Sequence, residues 1–359
     1  MPGRRVVIFG WAHRVHTQRW VTGMTGRGFD IRLISLGGDR LPGVETFTFP
    51  HTGKAAYLRY MTRAAGLARA FKPDLVHAHY AAGFGLWGLW TRFKPTLVSV
   101  WGADIIDFPS NFLTRALIKR ILHKADGITA SSCFLKEVVK ALVPEAEVKT
   151  TVIPFGVEIP TDVYPLPTGP VKICFLKAHR KKYGPDILLR ALAEVKKKIP
   201  GVRLSMAGEG ELTETLKKMT VELDLEENVH FTGYIDNSRI YDFIRQHHFM
   251  VMPSVMASES FGVAVLEAGA CGRPTIASRI GGVPEVIVDG RTGFFVTPHE
   301  VGQLAEAIIR LAGDIELVAK TGRASYEFVK ENYNWEKSLN LMAAVYERLI
   351  YECKKNPSI

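Results

Sequence analysis

The chain has 359 residues, more than one hydrophobic core usually serves, so two domains are expected. Hydrophobic residues make up 47% and charged residues 23%, the composition of a globular protein, and no run of about 18 apolar residues could span a bilayer. The cysteines, Cys133, Cys174, Cys271 and Cys353, stand far apart without zinc or redox spacing, which argues against a disulfide framework and a structural metal.

The formal net charge of +10 is uneven. Residues 1–165 carry 21 Lys and Arg against 12 Asp and Glu, whereas the remainder carries 25 against 24. A basic first half implies an anionic partner, such as a membrane surface or a phosphorylated acceptor. Nucleic acid is the weakest of these partners, because the basic residues fall in α/β patterns without a nucleic-acid-binding motif. The opening MPGRRVVIFG has too short an apolar run for a signal peptide and reads as a strand. The expected location is cytoplasmic, with peripheral contact at the inner face of the membrane.

In chain order, RRVVIFG is a first strand and a helix follows from His16 to Gly26. DIRLIS, DLVHAH, PTLVSV and TTVIP are further strands, each a short β-branched run beside turn residues. Helical patterns between them indicate a parallel, doubly wound sheet. The first turn, Gly10 followed by WAHRVHTQRW, lacks G-x-G-x-x-G, so a dinucleotide is not expected there. In NFLTRALIKRILHK a helix places Leu117, Ile118, Ile121 and Leu122 on one face, with Arg115, Lys119, Arg120, His123 and Lys124 on the other. Such a helix either lies on an anionic membrane or packs its apolar face on the sheet and leaves the basic face wet. Pro154, Pro160, Pro165, Pro167 and Pro170 place an interdomain linker at 154–170. A second α/β series begins with VKICFL and continues through VRLSMAG, NVHFTG and HFMVMPS, and WEKSLNLMAAVYERLIYE ends the pattern as a long helix.

The stretch from Ser254 to Glu285 organises the second half. After the strand HFMVMPS come Glu259, Ser260, Phe261 and Gly262, then a helix, VAVLEAGA, that stops at Gly272 before Pro274. The strand PTIAS follows, then a Gly281-Gly282 loop. Strand, glycine-bearing turn and helix start form an anion site, because first-turn N–H groups have no internal partner and the helix dipole adds positive charge. Glu259 and Glu267 bracket the helix, roughly 12 Å apart on an ideal helix, about the span from ribose to sugar in a nucleotide sugar. A carboxylate only accepts hydrogen bonds, so it suits vicinal hydroxyls. This places Glu267 on the ribose, Glu259 on the sugar, and the N–H groups near Ser260, Phe261, Gly262 and Val263 on phosphate. The plainer alternative is a surface helix with two solvated glutamates.

ESFGVAVLE, ACGRP, GGVPEV and DGRTGFFV, all between Glu259 and Val296, resemble the family-4 retaining glycosyltransferases, and the likeness extends more loosely to both ends of the chain. The resemblance implies the GT-B fold, two Rossmann-like doubly wound parallel-sheet domains facing across a cleft. They would cover residues 1–160 on the acceptor side and 171–334 on the nucleotide-sugar side, with a helix at 335–359 crossing back toward the first domain. It implies a diphosphate-gripping basic pair in FLKAHRKKYGPD, where Ala178 and Tyr183 stand at the usual Arg and Lys positions. Lys182 and Lys177, with Arg180 third, are the substitutes. It also implies that Gly208 lines the donor pocket, that Gly233 and Tyr234 lie near the base, and that the acceptor side carries His13, His16, Arg19, Trp101 and Asp104. Trp101 stands where many members have His, which makes His79 a candidate for the contact to the transferred sugar. The activity implied is hexosyl or N-acetylhexosaminyl transfer from a nucleotide diphosphate sugar such as a UDP-sugar, in glycan or glycolipid biosynthesis. The acceptor is a hydroxyl on a lipid-linked or anionic molecule, and neither metal nor cofactor is required. An epimerase or phosphorylase of the same architecture, or a non-catalytic nucleotide-sugar-binding protein, are the competing readings.

Overall fold

Short apolar runs alternating with amphipathic helices build two separate parallel sheets. The computed structural model describes residues 3–109 and 111–355. The chain up to Pro154, together with the segment from Glu336 onward, forms one unit, and Phe155–Trp335 forms the other.

The first unit runs β1 (Arg5–Phe9), α1 (Val15–Thr25), β2 (Asp30–Leu36), β3 (Glu45–Phe49), α2 (Ala56–Ala70), β4 (Leu75–His79), α3 (Phe84–Thr91), β5 (Thr96–Val100), α4 (Phe112–Lys124), β6 (Gly127–Ala130), α5 (Cys133–Leu142) and β7 (Thr150–Val152). Its sheet has the order β3-β2-β1-β4-β5-β6-β7, and every pairing is parallel. The strand order reverses between β1 and β4. Helices cover both faces of such a sheet, and every residue of β4 and β5 is buried.

The second unit runs β8 (Lys172–Leu176), α6 (Pro185–Lys198), β9 (Arg203–Ala207), α7 (Thr213–Glu222), β10 (Val229–Gly233), α8 (Ile240–Ile244), β11 (Phe249–Met252), α9 (Val263–Ala270), β12 (Thr275–Ser278), β13 (Gly293–Val296), α10 (Val301–Ala312) and α11 (Ile315–Asn332). Its order, β10-β9-β8-β11-β12-β13, repeats the same winding with parallel pairings, and here the reversal lies between β8 and β11. In open parallel sheets, ligands bind beyond the carboxyl ends of the strands at such a reversal.

The last helix, α12 (Trp335–Lys355), belongs to the first unit from Glu336 on. It buries Leu339, Met342, Val345, Tyr346, Leu349 and Ile350. Tyr346 Oη lies 2.6 Å from His77 Nδ1, whose Nε2 lies 2.7 Å from Ser99 Oγ, itself 2.6 Å from Thr129 Oγ1. This buried chain ties α12 to β4, β5 and β6. Tyr346→Phe strands one His77 nitrogen in the core and should cost about 1–2 kcal/mol, measurable as a shift in the denaturant midpoint at unchanged slope.

One expectation needs correction, and one open alternative is decided. The segment expected as a linker belongs to the second unit from Phe155 on and is bound down as a strap. Prolines remove N–H donors and leave carbonyls, and these accept from Arg273 at Tyr164 (2.9 Å) and Pro165 (2.7 Å), from Tyr326 Oη at Pro160 (2.7 Å), and from Tyr241 Oη at Glu158 (2.9 Å). In α4, Ile118, Ile121 and Leu122 are buried in the core beneath the sheet-covering helices. That apolar face therefore cannot lie on a membrane.

Candidate active site

The reversal between β8 and β11 brings two exits together. Lys177 follows β8 directly, and the segment after β11 leads to Glu259 and α9. A 3-10 turn at Lys181–Tyr183 lies against the β11 exit, where the Val255 N–H donates to the Lys182 carbonyl (2.9 Å). Lys177 Nζ then reaches Glu259 Oε2 at 2.7 Å, with the two side chains only 17% and 7% exposed. Burial alone would lower the Lys177 ammonium. The charges of Glu259, Tyr183 and Glu267 and the hydrogen bond to Glu259 outweigh burial and hold it above the usual lysine value.

Glu259 is therefore not a solvated surface glutamate, and Glu267 on α9 is half-buried. Its segment is fixed from behind. The Glu259 N–H donates to the Met256 carbonyl (3.0 Å), and the Gly282 N–H donates to the Glu259 carbonyl (3.2 Å). A Cβ on Gly282 would fall 1.9 Å from the Ser260 carbonyl oxygen, so only glycine lets the loop after β12 approach this closely. Gly282→Ala should displace Glu259 and lower turnover about 100-fold, since misplacement by about 1 Å has that effect. Steady-state kinetics alongside a thermal melt would check it.

Helix α9 begins at Gly262 without a side-chain cap, preceded by Ser260 and Phe261 and opening on Val263. Phe261 is buried against Phe155 and Tyr333, with ring centroids at 6.2 and 5.8 Å. On the approach to Glu259, Ser254 Oγ and Ser258 Oγ are buried without a protein partner.

Lys182 is half-buried with Nζ 5.0 Å from the Tyr183 ring centroid, and Lys177 Nζ lies 5.1 Å from the same ring. Tyr183 is thus flanked by both lysines. Arg180 is exposed at the start of the turn, so the structure brings together Lys177, Lys182 and Glu259 but leaves Arg180 aside.

Gly208 and Gly233 meet through a 2.8 Å hydrogen bond from the Gly208 N–H. Gly208 has φ +120°, and a Cβ there would fall 2.2 Å from the Lys177 carbonyl oxygen. Both glycines line a pocket of about 480 Å³ with His179, Glu209, Thr213 and Phe231. Tyr234, grouped with them on the sequence, is 72% exposed and is not among the lining residues. His179 was not foreseen. It is buried, with Nδ1 3.0 Å from Thr213 Oγ1, and burial lowers its pKa.

The residues expected on the acceptor side lie at the carboxyl edge of the first sheet. Trp101 packs against His79 at 4.8 Å, Tyr80 at 4.9 Å and His16 at 6.0 Å, and Tyr80 packs against Trp11 at 4.9 Å. These half-buried rings of Trp11, His16, Tyr80 and Trp101 form an aromatic cluster. His13 is an exposed neighbour whose pKa is lowered by burial, then by Arg14 and His51, and Arg19 is half-buried on α1.

Two residues depart from their expected use. His79 is the last residue of a central strand and fully buried. Burial, with His16 nearby, pulls its pKa down to about 3, so it is a neutral packing group beneath Trp101 and poorly placed to touch a sugar. The Asp104 carboxylate accepts from the N–H groups of Ala81 (2.9 Å), Trp101 (3.1 Å) and Gly102 (2.9 Å). Burial raises its pKa to about 6 against those bonds. It fixes the loop that carries Trp101. Among the described residues no group of three His, Cys, Asp or Glu is arranged to hold a metal.

Comparison with known proteins shows the family. Residues 160–328 match the family model for group 1 glycosyl transferases, and residues 5–132 match that for glycosyl transferase 4-like domains. An uncharacterized glycosyltransferase of Methanocaldococcus jannaschii is 27% identical over 84% of each chain. The GDP-mannose-dependent alpha-(1-6)-phosphatidylinositol monomannoside mannosyltransferase of Mycolicibacterium smegmatis is 30% identical over 62% of each. In fold, the chain is similar to Anabaena HepE, solved in complex with UDP-glucose, with a TM-score of 0.81 at 16% identity over 96% of this chain and 100% of that one. The chain belongs to the group 1, family-4 glycosyltransferases of the GT-B fold.

Proposed function

We propose that the chain transfers a sugar from a nucleotide diphosphate sugar to an acceptor hydroxyl with retained anomeric configuration. The observation that carries this reading is the buried Lys177–Glu259 pair at the strand reversal of the second sheet, beside the uncapped start of α9. Lys177 and Lys182 supply positive charge, and the first-turn amides of α9 supply donors, for a departing diphosphate. Preorganised charge of this kind is usually the largest catalytic term. Glu259 accepts from sugar hydroxyls and Glu267 from the ribose. The buried hydroxyls of Ser254 and Ser258 provide further polar atoms for the ligand. The pocket lined by Gly208, Gly233 and Phe231 suits the base. Glu259 is a positioning group, its charge matched by Lys177, and the departing phosphate takes the acceptor proton. Lysines and amides neutralise the diphosphate in this reaction without a metal.

The donor reading draws support from two relatives, one named as GDP-mannose-dependent and one solved with UDP-glucose. On the acceptor side, the rings of Trp11, Tyr80 and Trp101 offer flat apolar surface to a sugar or cyclitol face. The basic first half favours an anionic or lipid-linked acceptor, in keeping with the phosphatidylinositol monomannoside in one relative's name. An epimerase, which needs no acceptor, would have no use for this second, aromatic surface, and a phosphorylase would consume free phosphate.

The test is incubation of the purified chain with a panel of nucleotide sugars and acceptors, reading released nucleoside diphosphate and the product's anomeric configuration by NMR. Release coupled to a retained glycoside is the expected outcome. An inverted product, or no turnover with any donor, would reject the proposal.

A further inference from the structure

His179 carries a buried ring nitrogen, Nε2, with no hydrogen-bond partner among the described residues. The residue follows β8 closely and is fully buried. Its N–H donates to the Glu209 carbonyl (3.1 Å), and its carbonyl accepts from the Leu212 N–H (3.0 Å). These bonds lock the exit of β8 onto the exit of β9, in the wall of the pocket that Gly208, Gly233 and Phe231 also line.

The neighbours of the ring decide where its proton sits. Thr213 Oγ1 accepts from the Gly210 N–H (3.0 Å) and lies 3.0 Å from His179 Nδ1. Among the described residues the Thr213 hydroxyl hydrogen has no acceptor besides Nδ1, so Nδ1 accepts and the proton belongs to Nε2. Burial lowers the pKa of the ring, which keeps it neutral around pH 7. Nε2 is then a donor in the pocket lining, and a buried donor left unmet is costly. A ligand oxygen removes that cost.

An acceptor stands beside it. Glu209 lines the same pocket, and its Oε1 lies 3.3 Å from the point that a Cβ on Gly233 would occupy. Its charge reaches the His179 ring and opposes the effect of burial there. Lys217, also in the lining, is held by Glu214 at 2.8 Å, which leaves His179 as the donor next to Glu209. Donor and acceptor side by side fit one kind of base edge. Uracil and guanine present a keto oxygen next to a ring N–H. Adenine and cytosine present an amino group next to a bare ring nitrogen. A carboxylate only accepts, so it repels the bare nitrogen, and an amino group leaves the histidine N–H unpaired.

We propose that His179 and Glu209 read the base of the nucleotide donor, His179 donating from Nε2 to the keto oxygen and Glu209 accepting from the adjacent ring N–H, so that the pocket takes uracil or guanine and rejects adenine and cytosine. The inference rests on the reading of this pocket as the base site. Side-chain rotation on binding is common, and the half-buried Phe231, whose ring meets His179 at 5.9 Å and 80°, is the group that turns to admit the base.

The test is calorimetry of the full chain with UDP, GDP, ADP and CDP. UDP or GDP should bind at least about tenfold more tightly than ADP and CDP, since a site built to hydrogen-bond its ligand rejects an analogue that leaves its groups unpaired. The tighter of the two names the base. Glu209→Gln alters an exposed side chain and should leave the melting temperature as in wild type. It should cut the preference about tenfold, because the amide can donate to the bare ring nitrogen of adenine or cytosine. His179→Leu should weaken UDP or GDP about tenfold with little change for ADP and CDP. Equal binding of the four nucleotides, a preference for ADP or CDP, or variants that keep the wild-type preference would overturn the base reading and leave the donor site standing. A chain that binds none of the four loses the donor reading and this inference with it.

Discussion

Lys177→Met and Glu259→Gln should each reduce transfer about 100- to 1,000-fold when assayed well below the melting temperature, which each change should also lower because it strands a buried charge. Removing one preorganised donor from a site of charge development has effects of this size, and a charge-assisted hydrogen bond contributes about 1.5–3 kcal/mol. Because the two side chains touch at 2.7 Å, their effects should not add. Each single change leaves a buried partner without its counter-charge, so the double variant should be far less impaired than the product of the single losses. Lys177→Met should also weaken nucleoside diphosphate binding, whereas Glu259→Gln should act mainly on turnover with the full sugar donor. The pair is stable across neutral pH. The lysine is shifted upward, so what it contributes is present below the ordinary lysine value and is lost only as pH rises above it. Steady-state kinetics across pH, calorimetry of nucleotide binding and thermal melts would check these expectations.

Arg273→Met should lower the stability of the second unit by about 3–5 kcal/mol. Arg273 is fully buried and donates to the backbone carbonyls of Tyr164, Pro165, Arg245, His247 and Cys271. No acidic side chain faces it in these bonds, so its charge is dispersed over oxygen dipoles. A methionine of similar length would fill space but leave several carbonyls unsatisfied, each at about 1 kcal/mol or more. The strap over residues 158–165 would detach with it. Chemical denaturation gives the free energy, and limited proteolysis near Tyr164 should become fast in the variant alone. Arg273→Lys should not restore stability, because one ammonium cannot reproduce the planar fork.

Much of this was legible in the sequence for reasons that can be named. Helix α9 was bounded by a glycine turn before it and Gly272 after it, and the strands around it were β-branched runs. The strands β3, β6 and β13 were missed, the last because GFFV was read with the turn before it. ETFTF in β3 alternates weakly at a sheet edge. GITA in β6 is four small or single-branched residues whose burial comes from neighbours on both sides, so no local apolar run announces it. His79 was misplaced because HAH looks chemical, whereas a central strand of a doubly wound sheet buries alternate residues on both faces. Asp104 lies beside Trp101 in sequence, but its three backbone bonds depend on how the loops after β4 and β5 meet. The Lys177–Glu259 contact joins residues 82 positions apart. Only the strand order brings them together, and no local pattern encodes it. Arg273 stood in the recognised ACGRP stretch, yet its carbonyl partners lie on the proline-rich strap, which composition alone presented as a linker.

In the proposed function, the second sheet's reversal point seats a nucleoside diphosphate against the start of α9. A crystal of the chain soaked with UDP would show whether it does. The expected result is diphosphate density beside Gly262 and Val263, with Lys177 Nζ within hydrogen-bond reach of a phosphate oxygen. Density for the nucleotide elsewhere, with Lys177 still turned wholly to Glu259, would contradict it.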